Sequence, residues 1–350
     1  MIDGDIEARD VDLSNAADVA SFCAFLAPQG LSFDGGVESA TLFYYEGTIV
    51  GTGAIAGKVL RNITVAKDVR GDGLMAAIVS RLIQKQRARG RYHHMVFTRP
   101  ENAPLFKSLG FSEICSARPH VSLLEMGVWS VFDYCRKVRG MAGPLPSGRR
   151  AALVVNCNPF TIGHRALILK ASQENDSVIV FAVSEDHSLF PFDVRIRLIQ
   201  QGTEDMSNVV VVPGEDYIIS GATFPAYFTR EAEAVTAQTR LDATLFASRI
   251  APYLGISRRY IGEEPYCEVT RSYNESLAEI LPRHGVDILV VPRFEAAAGE
   301  VISASKVREM IKDSDWDGVK RMVPASTYEY LRSAEAHAVI GRIMSSQARH

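Results

Sequence analysis

The 350-residue sequence predicts an α/β protein of two domains. The second is expected to be a doubly wound parallel sheet, the first a smaller mixed α+β fold. Three observations carry this. From Ala151 onward, short Val/Ile-rich runs alternate with helical segments, the rhythm of a parallel sheet covered on both faces. Before Arg139 the order is less regular, with a hairpin signal at Glu46-Gly47 and one long amphipathic segment. Between them, Arg139-Gly-Met-Ala-Gly-Pro-Leu-Pro-Ser-Gly-Arg-Arg150 carries three glycines and two prolines in twelve residues. Such a stretch cannot hold a helix or a central strand, so it reads as a linker. The expected division is 1–140, a linker 141–150, a catalytic domain 151–335 and a tail 336–350.

In the first domain, Ser14–Leu26 has apolar residues at helical spacing behind a serine cap. Ala40–Tyr45 and Thr48–Ala56 read as hairpin strands, followed by a strand at Lys58–Val65. Gly73–Arg89 is a long helix, Tyr92–Thr98 a strand, Glu101–Leu109 a short helix stopped by Gly110, and His120–Glu125 a last strand. In the second domain, strands are expected at Ala152–Asn156, Ser177–Val183, Val209–Val212, Arg259–Ile261 and Ile288–Val291. Helices fall between them at Gly163–Ser172, Asp193–Thr203, Thr229–Ile250 and Tyr273–Leu281.

Composition narrows the function classes. Hydrophobic residues at 47% and charged residues at 23% suit a soluble globular protein. A net charge of -3 without a long basic run argues against a nucleic-acid partner. The five cysteines are scattered, with no C-x-x-C pair or metal-ligand spacing, which suits a reducing compartment. The N-terminus lacks a signal-peptide pattern, and apolar runs such as Val178–Val183 are strand length, not membrane spans. A cytoplasmic protein without a membrane partner is the expectation.

Two motifs carry chemistry. The second domain's first strand ends in Asn156-Cys-Asn-Pro-Phe-Thr-Ile-Gly-His164, and a helix begins at once. Ligands of open α/β sheets bind at the carboxyl ends of strands, where helix N-termini direct N–H groups at anions. Pro159 stiffens the turn, Gly163 is expected to let backbone and ligand approach, and His164 falls in the first helical turn. The positive end of the helix dipole disfavours imidazolium there, so a neutral histidine donating to phosphate is expected. The second motif, Ile302-Ser-Ala-Ser-Lys-Val-Arg308, follows the last strand. Ser303 or Ser305 caps the next helix, while Lys306 and Arg308 add positive charge. Either motif alone also describes an ordinary capped helix. Their placement after the first and last strands makes a triphosphate cradle the sharper reading, because phosphoryl and nucleotidyl transfer chiefly need stabilisation of developing charge.

These motifs resemble the T/H-x-G-H and I-S-x-S/T-x-x-R signatures of the nucleotidyltransferase superfamily. The stretch Asn156–Tyr330 is similar, more narrowly, to the citrate lyase ligase family. The likeness rests on both motifs, on Glu215-Asp-Tyr-Ile-Ile-Ser220 with Ala222-Thr-Phe-Pro-Ala-Tyr-Phe228, and on Gly262-Glu-Glu-Pro265. The resemblance implies an acid–thiol ligase that uses ATP and Mg²⁺ to activate acetate as acetyl-adenylate. The acetyl group would pass to the thiol of citrate lyase's acyl carrier protein, carried on a dephospho-coenzyme A-derived prosthetic group. It implies catalytic roles for His164, Lys306 and Arg308, and phosphate binding by Asn158, Thr161, Gly163, Ser303 and Ser305. Gly262 and Glu263 would line the adenosine side. Tyr217, Thr223, Phe224 and Arg230 are candidates for the acetate and thiol side, although aromatic residues there equally suit a core. No protein metal ligands are assigned. A covalent role for Cys157 or Cys267 is disfavoured, since no histidine partner is evident. Two further readings stay open: a cofactor adenylyltransferase whose product retains AMP, and a nucleotide- or coenzyme A-binding module without turnover.

In the first domain, Val69-Arg-Gly-Asp-Gly-Leu-Met-Ala76 resembles the pyrophosphate loop Q/R-x-x-G-x-G/A of GNAT-type acetyltransferases, with Met75 where a small residue is expected. Arg70, Gly71 and Gly73 are therefore candidates to hold a coenzyme A-like arm. Asn102-Ala-Pro-Leu-Phe-Lys-Ser-Leu-Gly-Phe111 matches a later helix of that fold, but Phe106 stands where many members have a tyrosine general acid. A phenyl ring cannot protonate a leaving thiolate. Binding of the carrier's arm without acetyl-transfer chemistry is expected, the alternative being a domain kept for packing or dimerisation.

Overall fold

Residues 6–33, 36–71, 73–184, 188–219, 231–263, 268–296 and 300–346 are described by the computed structural model. They divide into two units, Met1–Tyr134 with Ala222–Leu245, and Cys135–Gly221 with Phe246–His350.

The first unit runs β1 (Glu7–Asp10), α1 (Ala16–Leu26), β2 (Ser39–Tyr45), β3 (Thr48–Ala56), β4 (Val59–Val65), α2 (Leu74–Ala88), β5 (His93–Thr98), α3 (Ala103–Ser108), β6 (Ser112–Ala117) and β7 (Val121–Gly127). Its sheet has the order β1-β2-β3-β4-β5-β7-β6 and is antiparallel except between β4 and β5. This is a mixed α+β arrangement, as the sequence predicted. The cap of α1 is Asn15 rather than Ser14, its Oδ1 accepting from Ala17 and Asp18 N–H groups.

A bulge shapes this sheet. The β3–β4 register shifts between Thr52 and Ala54, opposite Thr64 and Arg61. Between those partners Asn62 takes φ 51°, its amide donating to Ser32 O at 3.0 Å. Asparagine tolerates the left-handed region, and a bulge bends its strand. Accordingly β4 pairs with β5 only at Val59–Met95 and Leu60–Val96, then leaves it. The opening is a cleft of about 620 Å³.

The second unit begins at Cys135, ahead of the segment that the sequence reads as a linker. Its elements, with α4 (Val131–Met141) preceding, are β8 (Arg150–Val155), α5 (Ile162–Glu174), β9 (Ser177–Ala182), α6 (Phe192–Gln201) and β10 (Val209–Pro213). After α7 (Glu231–Leu245) come α8 (Ala251–Leu254), β11 (Ile256–Gly262), α9 (Glu268–Ile280), β12 (Asp287–Val291), and the short pair β13 (Glu295–Ala296) and β14 (Glu300–Val301). Then follow α10 (Ala304–Lys312), α11 (Trp316–Met322), α12 (Ala325–Leu331) and α13 (His337–Ser345). The main sheet, β10-β9-β8-β11-β12, is parallel throughout. Strand order reverses between β8 and β11, so a ligand crevice is expected at their carboxyl ends. Residues 337–345 form a helix whose Val339 and Ile343 are buried in the same core as Leu153, Val180 and Ile311. The expected tail is thus structured through Ser345, because its apolar residues repeat at helical spacing and find a partner face on α10.

The helix α7 lies next to β6 and β7 of the first unit, although the chain order had placed it in the catalytic domain. Leu241 is buried, and its carbonyl lies 4.0 Å from Cys115 Sγ. Leu241→Ala is expected to destabilise the first unit by about 2–5 kcal/mol. Hydrogen exchange would check this: β6 and β7 should exchange faster while the parallel sheet is unaffected, and the reverse pattern would detach α7 from this unit.

Candidate functional site

The parallel sheet delivers two helix starts to its carboxyl edge. At α5, Thr161 Oγ1 accepts the His164 N–H at 3.3 Å, and Thr161 N–H donates to His164 Nδ1 at 3.1 Å. This is a reciprocal capping box with histidine in the place usually held by glutamate. The geometry assigns the tautomer. Nδ1 accepts, so the neutral ring carries its proton on Nε2. Burial, with Arg293 adding to it, lowers the imidazole pKa to about 4. His164 is therefore a neutral N–H donor at neutral pH, as the sequence implied.

At α10, Ser303 is the cap, its Oγ accepting Lys306 N–H at 3.2 Å. Lys306 is half-buried in that first turn. The two motifs touch directly. A Cβ on Gly163 would lie 3.3 Å from Ile302 Cγ2, tighter than an ordinary contact. Glycine therefore lets one motif pack closely on the other, a contact that the sequence did not announce. Arg308 is buried and donates from Nη1 to Asn158 O at 2.6 Å and from Nη2 to Ser305 Oγ at 3.1 Å. Asn158 is also buried, its Oδ1 accepting Phe190 N–H at 3.1 Å. These groups tie the two motifs together.

On the neighbouring strands, Gly262 O accepts from Asn274 Nδ2 at 3.1 Å, and Glu263 N–H donates to Val291 O at 2.9 Å. Tyr217 is fully buried in the turn after β10. Thr223, Phe224, Arg230, Cys267, the whole of Ala222–Phe228, and Glu264 and Pro265 lie outside the described residues.

Two arginines escaped the sequence reading. Arg195 of α6 is fully buried and donates to Phe190 O, Asn156 O, Asn156 Oδ1 and Val183 O at 2.7–3.0 Å. Nothing in its helical position marks it. Arg293 follows β12 and donates from Nε to Glu263 O at 3.1 Å. Its place just past a strand's carboxyl end was a legible signal.

Cys157 is buried with φ 53°, and burial pushes its thiol far above the usual range. A buried neutral thiol is inert. Maleimide treatment of the folded protein at pH 8 is expected to leave Cys157 unlabelled, as peptide mass mapping would show.

In the first unit, Arg70, Gly71 and Gly73 line the cleft between β4 and β5. Gly71 and Gly73 take φ 99° and 79°, and α2 starts directly after them. Arg70 donates to Val65 O at 3.4 Å and Gln29 Oε1 at 3.2 Å. Phe106 also lines the cleft, edge-to-face with Phe111 at 5.9 Å, and brings no proton donor.

Comparison with known proteins places this geometry. Residues 150–331 match the family described as the citrate lyase ligase C-terminal domain. A citrate (pro-3S)-lyase ligase of Klebsiella pneumoniae is 37% identical over 88% of this chain and 90% of that protein. One of Escherichia coli K12 is 31% identical over 97% of both. Among solved structures, an acyl-CoA N-acyltransferase of Pseudomonas aeruginosa aligns with 35% of this chain and 100% of its own, at 10% identity and TM-score 0.31. With a matched domain over half its length and relatives matched nearly end to end, the chain belongs to the citrate lyase ligase family.

Proposed function

We propose that the chain is the ligase that acetylates the thiol prosthetic group of citrate lyase's acyl carrier protein at the expense of ATP. One observation carries the reading. Two capped helix starts, bearing His164 and Lys306, are locked together by Arg308 and Asn158 at the carboxyl edge of a parallel sheet, in a chain whose relatives bear that ligase name. In the proposed reaction an acetate oxygen attacks the α-phosphorus of ATP, the bond to the bridging oxygen breaks, and pyrophosphate leaves. The carrier's thiolate, its proton lost to solvent, then attacks the acetyl carbon and AMP leaves. His164 donates through Nε2 to a phosphate oxygen, where charge develops. Thr161, Ser303 and the α5 and α10 N–H groups orient the phosphates, with Lys306 as a cation beside them. Arg308, Asn158 and Gly163 hold the two motifs in register. Gly262 and Glu263 would face the adenosine.

Among the described residues, no group of three or more His, Cys, Asp or Glu side chains is placed to hold a metal ion. Mg²⁺ is accordingly proposed as a partner of the triphosphate. No helix of the described residues is long and apolar enough to cross a membrane.

The cleft of the first unit is proposed to hold the carrier's pantetheine-like arm. Beyond Leu60–Val96 the diverging strands leave backbone groups to meet amides, and Arg70 with the α2 start suits a phosphate.

The test is pyrophosphate release from Mg-ATP with and without acetate, followed by addition of the deacetylated carrier protein. Acetate-dependent pyrophosphate, free AMP and a carrier thioester are expected. ATP turnover without acetate, or AMP retained on a phosphorylated acceptor, would make the chain an adenylyltransferase. No turnover with either would leave a binding module.

A further inference from the structure

Arg293 was assigned no role by the motifs, yet the fold brings it to the point where they meet. It stands two residues past Val291, the last residue of β12, at the ligand-facing edge of the sheet. Its Nε donates to Glu263 O at 3.1 Å, so the guanidinium is braced against the loop that leaves β11. Its chain neighbour Phe294 accepts the Ile302 N–H at 3.2 Å. Ile302 in turn packs against Gly163, in the first turn of α5. Through these contacts the end of β11, the approach to α10 and the start of α5 are linked to the segment that carries Arg293. The side chain is half-buried, and close enough to His164 for its charge to disfavour imidazolium. A half-buried arginine beside a neutral N–H donor has the makings of a phosphate subsite, because guanidinium carries fixed donors that match phosphate oxygens.

We propose that Arg293 is a further catalytic residue of this site, its guanidinium holding a non-bridging phosphate oxygen of the nucleoside triphosphate next to His164 Nε2. This rests on the ATP-dependent reading above. It adds that the β11–β12 side of the crevice, and not only the two motif helices, grips the phosphates. The brace to Glu263 O sets where the guanidinium points and links phosphate binding to the loop proposed to face adenosine.

The experiment is calorimetric titration of the full chain with Mg²⁺ and α,β-methylene-ATP, and separately with AMP. Arg293→Gln is expected to weaken the triphosphate analogue about 10- to 100-fold, the range for hydrogen bonds to a charged group. AMP affinity should stay within about twofold. Arg293→Lys, which keeps the charge without the fork, should recover part of the loss. Parallel loss of both ligands would make Arg293 a prop for the Glu263 loop and overturn the proposal, as would an unchanged triphosphate affinity. If the unaltered chain binds neither nucleotide, the ATP reading itself fails, and this proposal with it. An independent readout is the His164 ring titrated by NMR. Arg293→Gln should move its pKa upward from about 4, and an unmoved value would place the guanidinium away from the imidazole.

Discussion

Replacing His164 with asparagine is expected to lower acetate-dependent pyrophosphate release about 100- to 1000-fold while leaving the fold intact. Asparagine places Oδ1 near the position of Nδ1, so it can still accept the Thr161 N–H and preserve the reciprocal cap. The Nε2–H donor is lost. Glutamine places an N–H near Nε2 and should retain more turnover than asparagine. Equal turnover in all three proteins would remove the imidazole from the chemistry. The same residue sets a pH dependence. A folded-state pKa of about 4 means that His164 stays neutral from pH 6 to 9, so it contributes no limb to the rate profile there. On acidification the unfolded chain, with histidine near 6.5, takes up the proton first. Its stability contribution is therefore complete above pH 6.5 and falls as the pH drops towards 4. Unfolding midpoints measured across that range should fall more steeply for the unaltered protein than for His164→Asn.

Arg195→Met is expected to be the most destabilising single change at the site. The guanidinium is fully buried and serves three main-chain carbonyls and one side-chain oxygen, drawn from the loops after β8 and β9 and the turn into α6. Methionine fills part of the volume but leaves those acceptors unmet in a site closed to water. Each orphaned buried acceptor costs about 1–3 kcal/mol, so a total of about 3–5 kcal/mol is expected. That corresponds to a fall in unfolding temperature of roughly 6–20 °C. Differential scanning calorimetry would measure it. A loss below about 1 kcal/mol would mean that water or neighbouring groups replace the guanidinium. Arg195→Lys, which can reach fewer of the four acceptors, should fall between the two.

What could be read without coordinates follows from the range of the interactions. The central strand β9 was legible because a strand buried on both faces becomes a continuous apolar run, and Val178–Ala182 is buried throughout. The caps at Thr161 and Ser303 were legible because capping acts within three residues. β1, Glu-Ala-Arg-Asp, was not, since every one of its residues is exposed on a sheet edge and no alternation betrays it. β6 escaped because its place beside β7, and the helix α7 packed next to both, come from distant parts of the chain.

The site divides along the same line. The sequence by itself determined which residue types stand at the two helix starts, that His164 would be neutral, and that Phe106 brings no proton. Tertiary structure alone decided that Gly163 packs closely on Ile302, that Asn158 and Arg308 hold each other 150 residues apart, that Tyr217 is buried, and that Arg195 and Arg293 reach carbonyls of other loops. A cap is closed by neighbours in the chain, whereas a buried guanidinium takes its meaning from whichever carbonyls the fold brings to it. No local pattern encodes that encounter.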